Sequence, residues 1–268
     1  RASVRGPDAA RIICRVSDPR HVVVVGGSAA GVSAVEAMVE RPDRPRITLI
    51  SADERLPYKR TKVSKSFAEG FERDAFALHE GAWYGEHGVE LLPGRTVRRL
   101  HPGDHTLELD DGGRLSWSRL ILATGSGARR PALAPGVRVH HSHEIDQVEA
   151  LRAHALEAQT ALVVGMGVLG VEVSEQLARM GLRVTLAGDS ARLMSEQLDE
   201  AAAELLARTL TDHGVELLPG ECVRSVEHNP AGCHAVQFAA APPMEVDLVV
   251  FCVGSVVRAE LARAAGLR

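Results

Sequence analysis

The sequence HVVVVGGSAAGVSAVEAM occupies residues 21–38 and follows the same plan as TALVVGMGVLGVEVSEQLARMG at residues 160–181. In each, a run of apolar, mostly β-branched residues leads into a turn of glycines and small residues, and an amphipathic stretch follows. This pattern is typical of a strand, glycine turn and helix that bind a dinucleotide. Small residues let the backbone approach a pyrophosphate, and the helix N-terminus supplies N–H donors. Two such turns in one chain predict two bound dinucleotides.

Each glycine turn contains candidate phosphate-binding residues. The first turn contributes Gly26, Gly27, Ser28, Ala29, Ala30 and Gly31. The second turn contributes Gly165, Gly167, Val168, Leu169 and Gly170. Asp53 and Glu54 follow the second strand of the first copy, about 20 residues past its glycines, where an acid commonly meets a ribose hydroxyl.

The nucleotide of the second copy is less sharply specified. Its second strand is followed by Gly188, where an acid selective for NAD could be expected, and then by Asp189. Asp189 favours NAD, whereas Arg183 or Arg192 could meet the 2′-phosphate of NADP. The balance favours NADH.

Composition excludes several classes of function. The chain has 268 residues, a net charge of −4 and 3% aromatic residues, which gives no basic patch or stacking surface for nucleic acid. No apolar run is long enough to span a bilayer and no leader pattern is present, so we expect no membrane partner and a cytoplasmic location. The cysteines are scattered without metal-like spacing, and Cys252 lies in an apolar run, which indicates a buried structural thiol.

The order of segments predicts an α/β fold. Each half reads as strand, glycine turn, helix, strand and antiparallel meander, and then an apolar strand ending in glycine, LILATG at 120–125 and LVVFCVG at 248–254. We expect two Rossmann-like βββαβ three-layer nucleotide-binding domains, the second inserted in the first. Between the second strand and the meander, residues 74–87 read as one helical stretch.

Two clusters of charged or ligating residues interrupt this order. The three lysines of the chain, Lys59, Lys62 and Lys65, all lie in PYKRTKVSKSF, which suggests a phosphate or flavin edge or, alternatively, a solvated basic loop. His140, His141 and His143 form an HHSH cluster that could suggest a metal.

These segments resemble the FAD-dependent pyridine nucleotide oxidoreductase family, and within it the ferredoxin- and rubredoxin-reductase type. The resemblance is carried in family order by the first glycine turn, LPYKRTKVSK, RLILATGS, the second glycine turn, and DLVVFCVG followed by AELARAAGL. It covers nearly everything from His21 onward. It implies an N-terminal extension at 1–20, an FAD-binding domain at 21–142, an NAD(P)-binding domain at 143–254, and a return to the FAD domain at 255–268. It also implies that the HHSH cluster is a linker of solvated histidines, so we expect no metal site.

The resemblance also implies roles for individual residues. FAD would lie on the first turn with its ribose at Asp53 or Glu54, and Arg60, Lys65, Thr124 and Gly125 would lie beside it; Gly254 ends the second apolar strand. Lys65 could stabilise negative charge on the reduced flavin. Glu172 resembles the family acid near the nicotinamide, although an ordinary exposed helix residue is an equal interpretation.

Departures from the family pattern limit the chemistry. No cysteine pair follows the first helix, and Ser64 and Ser66 stand where peroxide-reducing relatives need a cysteine, so a thiol relay is unsupported. Ser118 replaces the aspartate common before LILATG. Family members continue past the equivalent of Arg268 with a flavin-binding Gly-Asp motif and an interface domain, so a partner chain or homo-oligomer could complete the flavin site.

The function expected from the resemblance is electron transfer. NAD(P)H would give a hydride to FAD, and FAD would pass electrons to an iron–sulfur protein or to a small acceptor. The alternative is a degenerate relative that kept the scaffold without redox turnover, acting as a non-redox enzyme or as a nucleotide-binding assembly subunit.

Overall fold

The computed structural model describes residues 20–72, 74–132, 137, 139–229 and 232–267. The chain divides into two compact units. The first unit is built from residues up to 59, from 73–125 and from 257 onward, and the second from 60–72 and 126–256. Of the three lysines, Lys59 therefore belongs to the first unit, and Lys62 and Lys65 belong to the second. Of the predicted extension 1–20, all but Arg20 lies outside the described residues.

Sixteen strands and seven α-helices make up the regular structure of these described residues. The strands are β1 His21–Val25, β2 Arg46–Ile50, β3 Val89–Leu92, β4 Val97–His101, β5 Thr106–Leu109, β6 Arg114–Ser116, β7 Arg119–Leu122, β8 Ser126–Ala128, β9 Thr160–Val164, β10 Arg183–Gly188, β11 Val215–Pro219, β12 Val223–His228, β13 His234–Phe238, β14 Met244–Val246, β15 Leu248–Phe251 and β16 Ser255–Val257. The helices are α1 Ala29–Val39, α2 Arg60–Val63, α3 Gly81–Glu86, α4 Ile145–Ala155, α5 Val168–Arg179, α6 Glu200–Asp212 and α7 Glu260–Ala264. A membrane-spanning helix, which needs about 20 apolar residues, does not occur among them.

The first unit has three layers around a parallel sheet of order β3-β2-β1-β7. Successive side chains of β1 point to opposite faces of the sheet, as in any strand. Val22 and Val24 pack in the cluster that includes α1. Val23 and Val25 pack in the cluster that includes the antiparallel sheet β4-β5-β6. A strand buried on both faces explains the unbroken run of valines.

The second unit repeats this arrangement with a parallel sheet of order β11-β10-β9-β15 and an antiparallel sheet β12-β13-β14. Leu162 and Val164 of β9 pack against Val236 and Phe238 of β13. In both units the first strand is central, so its carboxyl end and the following glycine turn lie in the middle of the sheet edge. The predicted α/β class is confirmed.

Two local predictions were wrong. Residues 74–80 are not helical: Lys59 N donates to Phe76 O, and Leu78 N donates to Pro57 O. The backbone of residues 74–80 thus hydrogen-bonds to residues 57–59 rather than within a helix, and the helix begins at Gly81.

Two of the three clustered histidines, His140 and His141, are buried rather than solvated, and His140 joins the edge of the second parallel sheet. Its N–H donates to Val249 O, and its carbonyl accepts from Phe251 N. His140 and His141 are each 8% exposed.

Candidate functional site: two glycine turns and an ion pair

The first glycine turn has no room for side chains. At Gly26, where φ is +124°, a Cβ atom would lie 2.0 Å from Ala123 O. A Cβ on Gly27 would lie 2.6 Å from the Ser51 side chain, and one on Gly31 would lie 1.8 Å from Gly26 O. The glycines therefore let α1 begin directly against the ends of the neighbouring strands.

The second turn repeats two of these contacts. A Cβ on Gly165, where φ is +118°, would lie 2.4 Å from Cys252 O, and one on Gly170 would lie 1.8 Å from Gly165 O. Gly167 differs, because its φ of −83° and ψ of −176° suit any residue and a Cβ there would meet no described atom within 4 Å. Packing within the chain does not explain this glycine. It leaves open space in front of the α5 N-terminus.

The N-termini of α1 and α5 are suited to anions. Their N-cap residues, Ser28 and Gly167, make no side-chain capping hydrogen bond, and neither first turn contains an acid. By contrast, the Asp199 carboxylate caps α6 by accepting from Ala202 N, and Glu200 lies in that helix's first turn. Free N–H groups and an uncompensated helix dipole favour a phosphate at α1 and α5. The predicted residues Ala29, Ala30, Val168 and Leu169 form the first turns of these two helices.

A cavity of about 580 Å³ lies at the glycine edge of the first unit. Gly26, Ala52 and Thr124 line it, together with Arg95 and Arg258. The cavity follows the carboxyl ends of β1, β2 and β7, where parallel sheets bind ligands.

The predicted ribose and flavin contacts of this unit have protein partners. Asp53 accepts from Arg55 N at 3.0 Å, and the Glu54 side chain is exposed. Thr124 Oγ1 donates to Arg258 O at 2.6 Å, and Gly125 O accepts from Arg258 N at 2.9 Å. Thr124 and Gly125 therefore join the end of the sheet to the segment before α7.

The second unit has its own cavity, of about 520 Å³, at the second glycine turn. Its lining includes Asp189, Glu196 and Glu221, and no lysine or arginine lies among the described lining residues. Arg183 begins β10, at the opposite end of that strand from Gly188. The Arg192 guanidinium donates to the carbonyls of Ser195 and Leu198. Neither arginine lines the cavity.

The segment 189–198 contacts the second glycine turn, and this contact was not predicted from the sequence. Met194, in a left-handed conformation with φ of 47°, donates its N–H to Met166 O at 2.8 Å. A Cβ on Gly188 would lie 2.9 Å from Met166 Cγ. Glycine at position 188 therefore has a packing reason, and an acid there would have to displace the Met166 side chain.

A third group of predicted residues meets beside α5, within the second unit. Lys65 Nζ lies 3.3 Å from Glu172 Oε1, and Ser64 Oγ donates to Glu172 Oε2 at 2.6 Å. Glu172 is not an ordinary exposed helix residue, because its side chain is 19% exposed. The three residues line a cavity of about 310 Å³ together with His143 and Val168. Sequence reasoning treated Ser64 as a missing cysteine and overlooked its hydroxyl.

The remaining predicted cofactor residues are held by the protein itself. Arg60 NH1 lies 3.3 Å from Glu144 Oε1. Gly254, where φ is +92°, accepts from Arg129 N at 3.0 Å. Arg60 also lines the cavity of the Lys65–Glu172 pair.

Buried titratable groups surround the second sheet's edge. Burial lowers the pKa of His141, whose Nδ1 lies 3.3 Å from Phe251 O. Burial raises the pKa of the Cys252 thiol to about 12. His140 Nε2 and His154 Nδ1 are 2.9 Å apart, so one ring donates to the other. At neutral pH His141 is therefore mostly uncharged, and Cys252 is a thiol.

Two curated proteins are similar in sequence to this chain. The chain is 30% identical over 250 residues to the ferredoxin reductase component of chlorobenzene dioxygenase from Cupriavidus sp. (strain PS12), covering 92% of this chain and 60% of the relative. It is 31% identical over 253 residues to the ferredoxin–NAD(+) reductase subunit of the benzene 1,2-dioxygenase system of Pseudomonas putida. This alignment covers 92% of this chain and 60% of the relative. The chain thus spans about 60% of the length of these curated relatives.

A solved structure gives the same fold. The ferredoxin reductase of the CYP199A2 system from Rhodopseudomonas palustris superposes with a TM-score of 0.86 at 22% identity, covering 93% of this chain and 62% of that one. The family model for pyridine nucleotide-disulphide oxidoreductases matches residues 20–268. The chain therefore belongs to the pyridine nucleotide-disulphide oxidoreductase family.

Proposed function

We propose that the protein is an FAD-dependent NADH oxidoreductase. Its first unit binds FAD on the Gly26–Gly31 turn, and its second unit binds NADH on the Gly165–Gly170 turn. Hydride passes from NADH to FAD, and electrons pass on to an iron–sulfur protein or a small acceptor. Both curated relatives described above are named as ferredoxin reductases, which supports this class of acceptor.

Gly167 carries the proposal. Every other glycine of the two fingerprints is explained by a collision within the chain, whereas a Cβ at Gly167 meets no described atom. The open space lies at the uncapped N-terminus of α5 and on the wall of the 520 Å³ cavity. A glycine is useful there when a ligand's pyrophosphate approaches the backbone.

The first unit fits an adenine dinucleotide because a cavity of about 580 Å³ lies at its glycine turn. Its turn is closed to side chains, and α1 begins without a side-chain cap or a first-turn acid. FAD bound there would accept a hydride and release electrons one at a time. The chain's own residues supply the cradle, the helix dipole and, at Asp53, a carboxylate for the ribose.

The 520 Å³ cavity supports NADH over NADPH. Asp189 is exposed on its wall and could accept from the adenosine ribose hydroxyls. Together with Glu196 and Glu221 it makes the cavity repel a 2′-phosphate, because no described lining residue carries a compensating positive charge.

Lys65 and Glu172 are the proposed catalytic pair. In this proposal the Lys65 ammonium stabilises the negative charge that the flavin acquires when it accepts the hydride. Lys65 is 57% exposed, so its ion pair alone is weak, and Glu172 limits where the ammonium can lie. No general acid or nucleophile is required for this chemistry.

Anaerobic titration tests the proposal directly. The purified chain is mixed with FAD, freed of unbound flavin, and titrated with NADH while the flavin absorbance is followed. The proposal expects one equivalent of flavin to be retained and bleached by NADH more readily than by NADPH. A chain that retains no FAD at any ratio, or retains it without bleaching, would contradict the proposal.

A further inference from the structure

We propose that Ser64 is a positioning residue of the Lys65–Glu172 pair: its buried hydroxyl fixes the Glu172 carboxylate and, through it, the Lys65 ammonium. The inference rests on the proposed function for its catalytic consequence. Its geometric part concerns three side chains of the second unit and can be tested without any nucleotide.

Ser64 follows the buried Val63 and stands between two exposed lysines. It is 3% exposed, whereas Lys62 and Lys65 are exposed. A buried hydroxyl is costly unless it makes a hydrogen bond. The Ser64 donor goes to Glu172 Oε2 at 2.6 Å, a short distance typical of an O–H donor on an ionised carboxylate.

The two oxygens of Glu172 are divided between two partners. Oε2 accepts from Ser64, and Oε1 lies 3.3 Å from Lys65 Nζ. A half-exposed lysine on a long side chain holds a carboxylate poorly, because exposed ion pairs gain little free energy. The short side chain of Ser64, fixed by burial, is therefore the group that sets the carboxylate's orientation.

The segment around Ser64 is held against α5 by other contacts. Ala68 N donates to Gln176 Oε1 at 3.0 Å, and Arg179 pairs with Glu69. Removal of one hydroxyl therefore leaves the segment anchored. Ser64→Ala should free the carboxylate without displacing the backbone.

Lysine reactivity gives a readout that needs no cofactor. The chain has three lysines, all in this segment, so Lys59 and Lys62 serve as internal standards for an amine-acylating reagent followed by mass spectrometry. In Ser64→Ala we expect the labelling rate of Lys65 to rise about threefold relative to both standards, as it should when a weak pairing is lost. Glu172→Gln should give the same rise, and Ser66→Ala, a matched control two residues away, should give none.

Flavin reduction measures the catalytic consequence. In the FAD-loaded chain, Ser64→Ala should lower the limiting rate of reduction by NADH about tenfold, with the NADH dissociation constant within about twofold of the parent. Ser64→Thr keeps a hydroxyl and should restore most of the rate. In the Glu172→Gln background, Ser64→Ala should have no further effect, because Ser64 acts through that carboxylate.

The outcomes separate the two proposals. A parent chain that holds FAD but is not reduced by NADH overturns the proposed function and, with it, the catalytic part of this inference. A parent that is reduced at the same limiting rate as Ser64→Ala overturns the inference alone. Unchanged Lys65 labelling, or additive effects of Ser64→Ala and Glu172→Gln, would also overturn it.

Discussion

Ser118 and Asp247 occupy the same register in the two units but make opposite hydrogen bonds. Each immediately precedes the strand that pairs in parallel with the central strand, β7 in one unit and β15 in the other. Ser118 Oγ donates to His21 O at 2.8 Å. Asp247 Oδ2 accepts from the backbone N–H groups of Gln159 and Thr160, each at 2.9 Å.

This difference predicts that Asp247 makes the stability of the second unit depend on pH. The backbone hydrogen bond from Gln159 holds the pKa of Asp247 below its ordinary value. Its contribution is therefore present above that ordinary value and is lost as pH falls through the folded-state pKa. Asp247→Asn should cost about 1–2 kcal/mol at neutral pH, and the difference should close below about pH 4.

Thermal unfolding of the two proteins between acidic and neutral pH checks this prediction. Asp212→Asn, at the exposed end of α6, is the control and should change the midpoint little at any pH. A gap between parent and Asp247→Asn that widens towards acid would contradict the sign of the argument.

The two glycines that flank the start of α5 should respond differently to alanine. Gly170→Ala places a Cβ 1.8 Å from Gly165 O, so we expect a loss of at least about 3 kcal/mol of stability. Gly167→Ala meets open space and should leave the thermal midpoint near that of the parent, yet lower NADH affinity about tenfold or more. Calorimetric titration and thermal melts measure both effects. If Gly167→Ala bound NADH normally, the proposed pyrophosphate site would be wrong.

Asp189 should determine the choice of nicotinamide nucleotide. Asp189→Asn removes the charged acceptor on the 520 Å³ cavity, so NADH affinity should fall about tenfold, while NADPH affinity should rise because one charge that repels the 2′-phosphate is lost. Glu196→Gln changes another acid of the same cavity and should affect NADH less. Titration of each variant with both nucleotides gives the ratio. A larger loss of NADH affinity in Glu196→Gln would move the role to that residue.

Cys252 and Cys222 should differ in alkylation although both line that cavity. The pKa of Cys252 is raised to about 12 by burial, so almost none of it is thiolate at neutral pH, whereas Cys222 is exposed. Iodoacetamide should modify Cys222 in the folded protein and Cys252 only after unfolding, as peptide mass spectrometry can show. Equal labelling rates in the folded state would contradict the prediction.

The parts of the fold that are written locally could be predicted from the sequence. A β-branched run, a glycine turn and an amphipathic helix lie within about 20 residues of each other, and the atom that leaves no room for a side chain at Gly31 or Gly170 belongs to the first glycine of the same turn. The acids after the second strands were predicted as ribose ligands from the same local pattern, and those roles stay predictions. The helix predicted at 74–87 does not form over residues 74–80, because the backbones of Phe76 and Leu78 hydrogen-bond to Lys59 and Pro57 instead.

The sequence was sufficient to determine the two units with a strand, a glycine turn and a helix, because their signals are short-range and periodic. Tertiary structure alone decided which side chains meet. Ser64 reaches Glu172 across 108 residues, and the Lys65 ammonium shares that carboxylate. Likewise, His140 and His141 became buried because their backbone found a sheet edge more than 100 residues away. Such pairings are set by which surfaces fold together, and no spacing within the sequence encodes them.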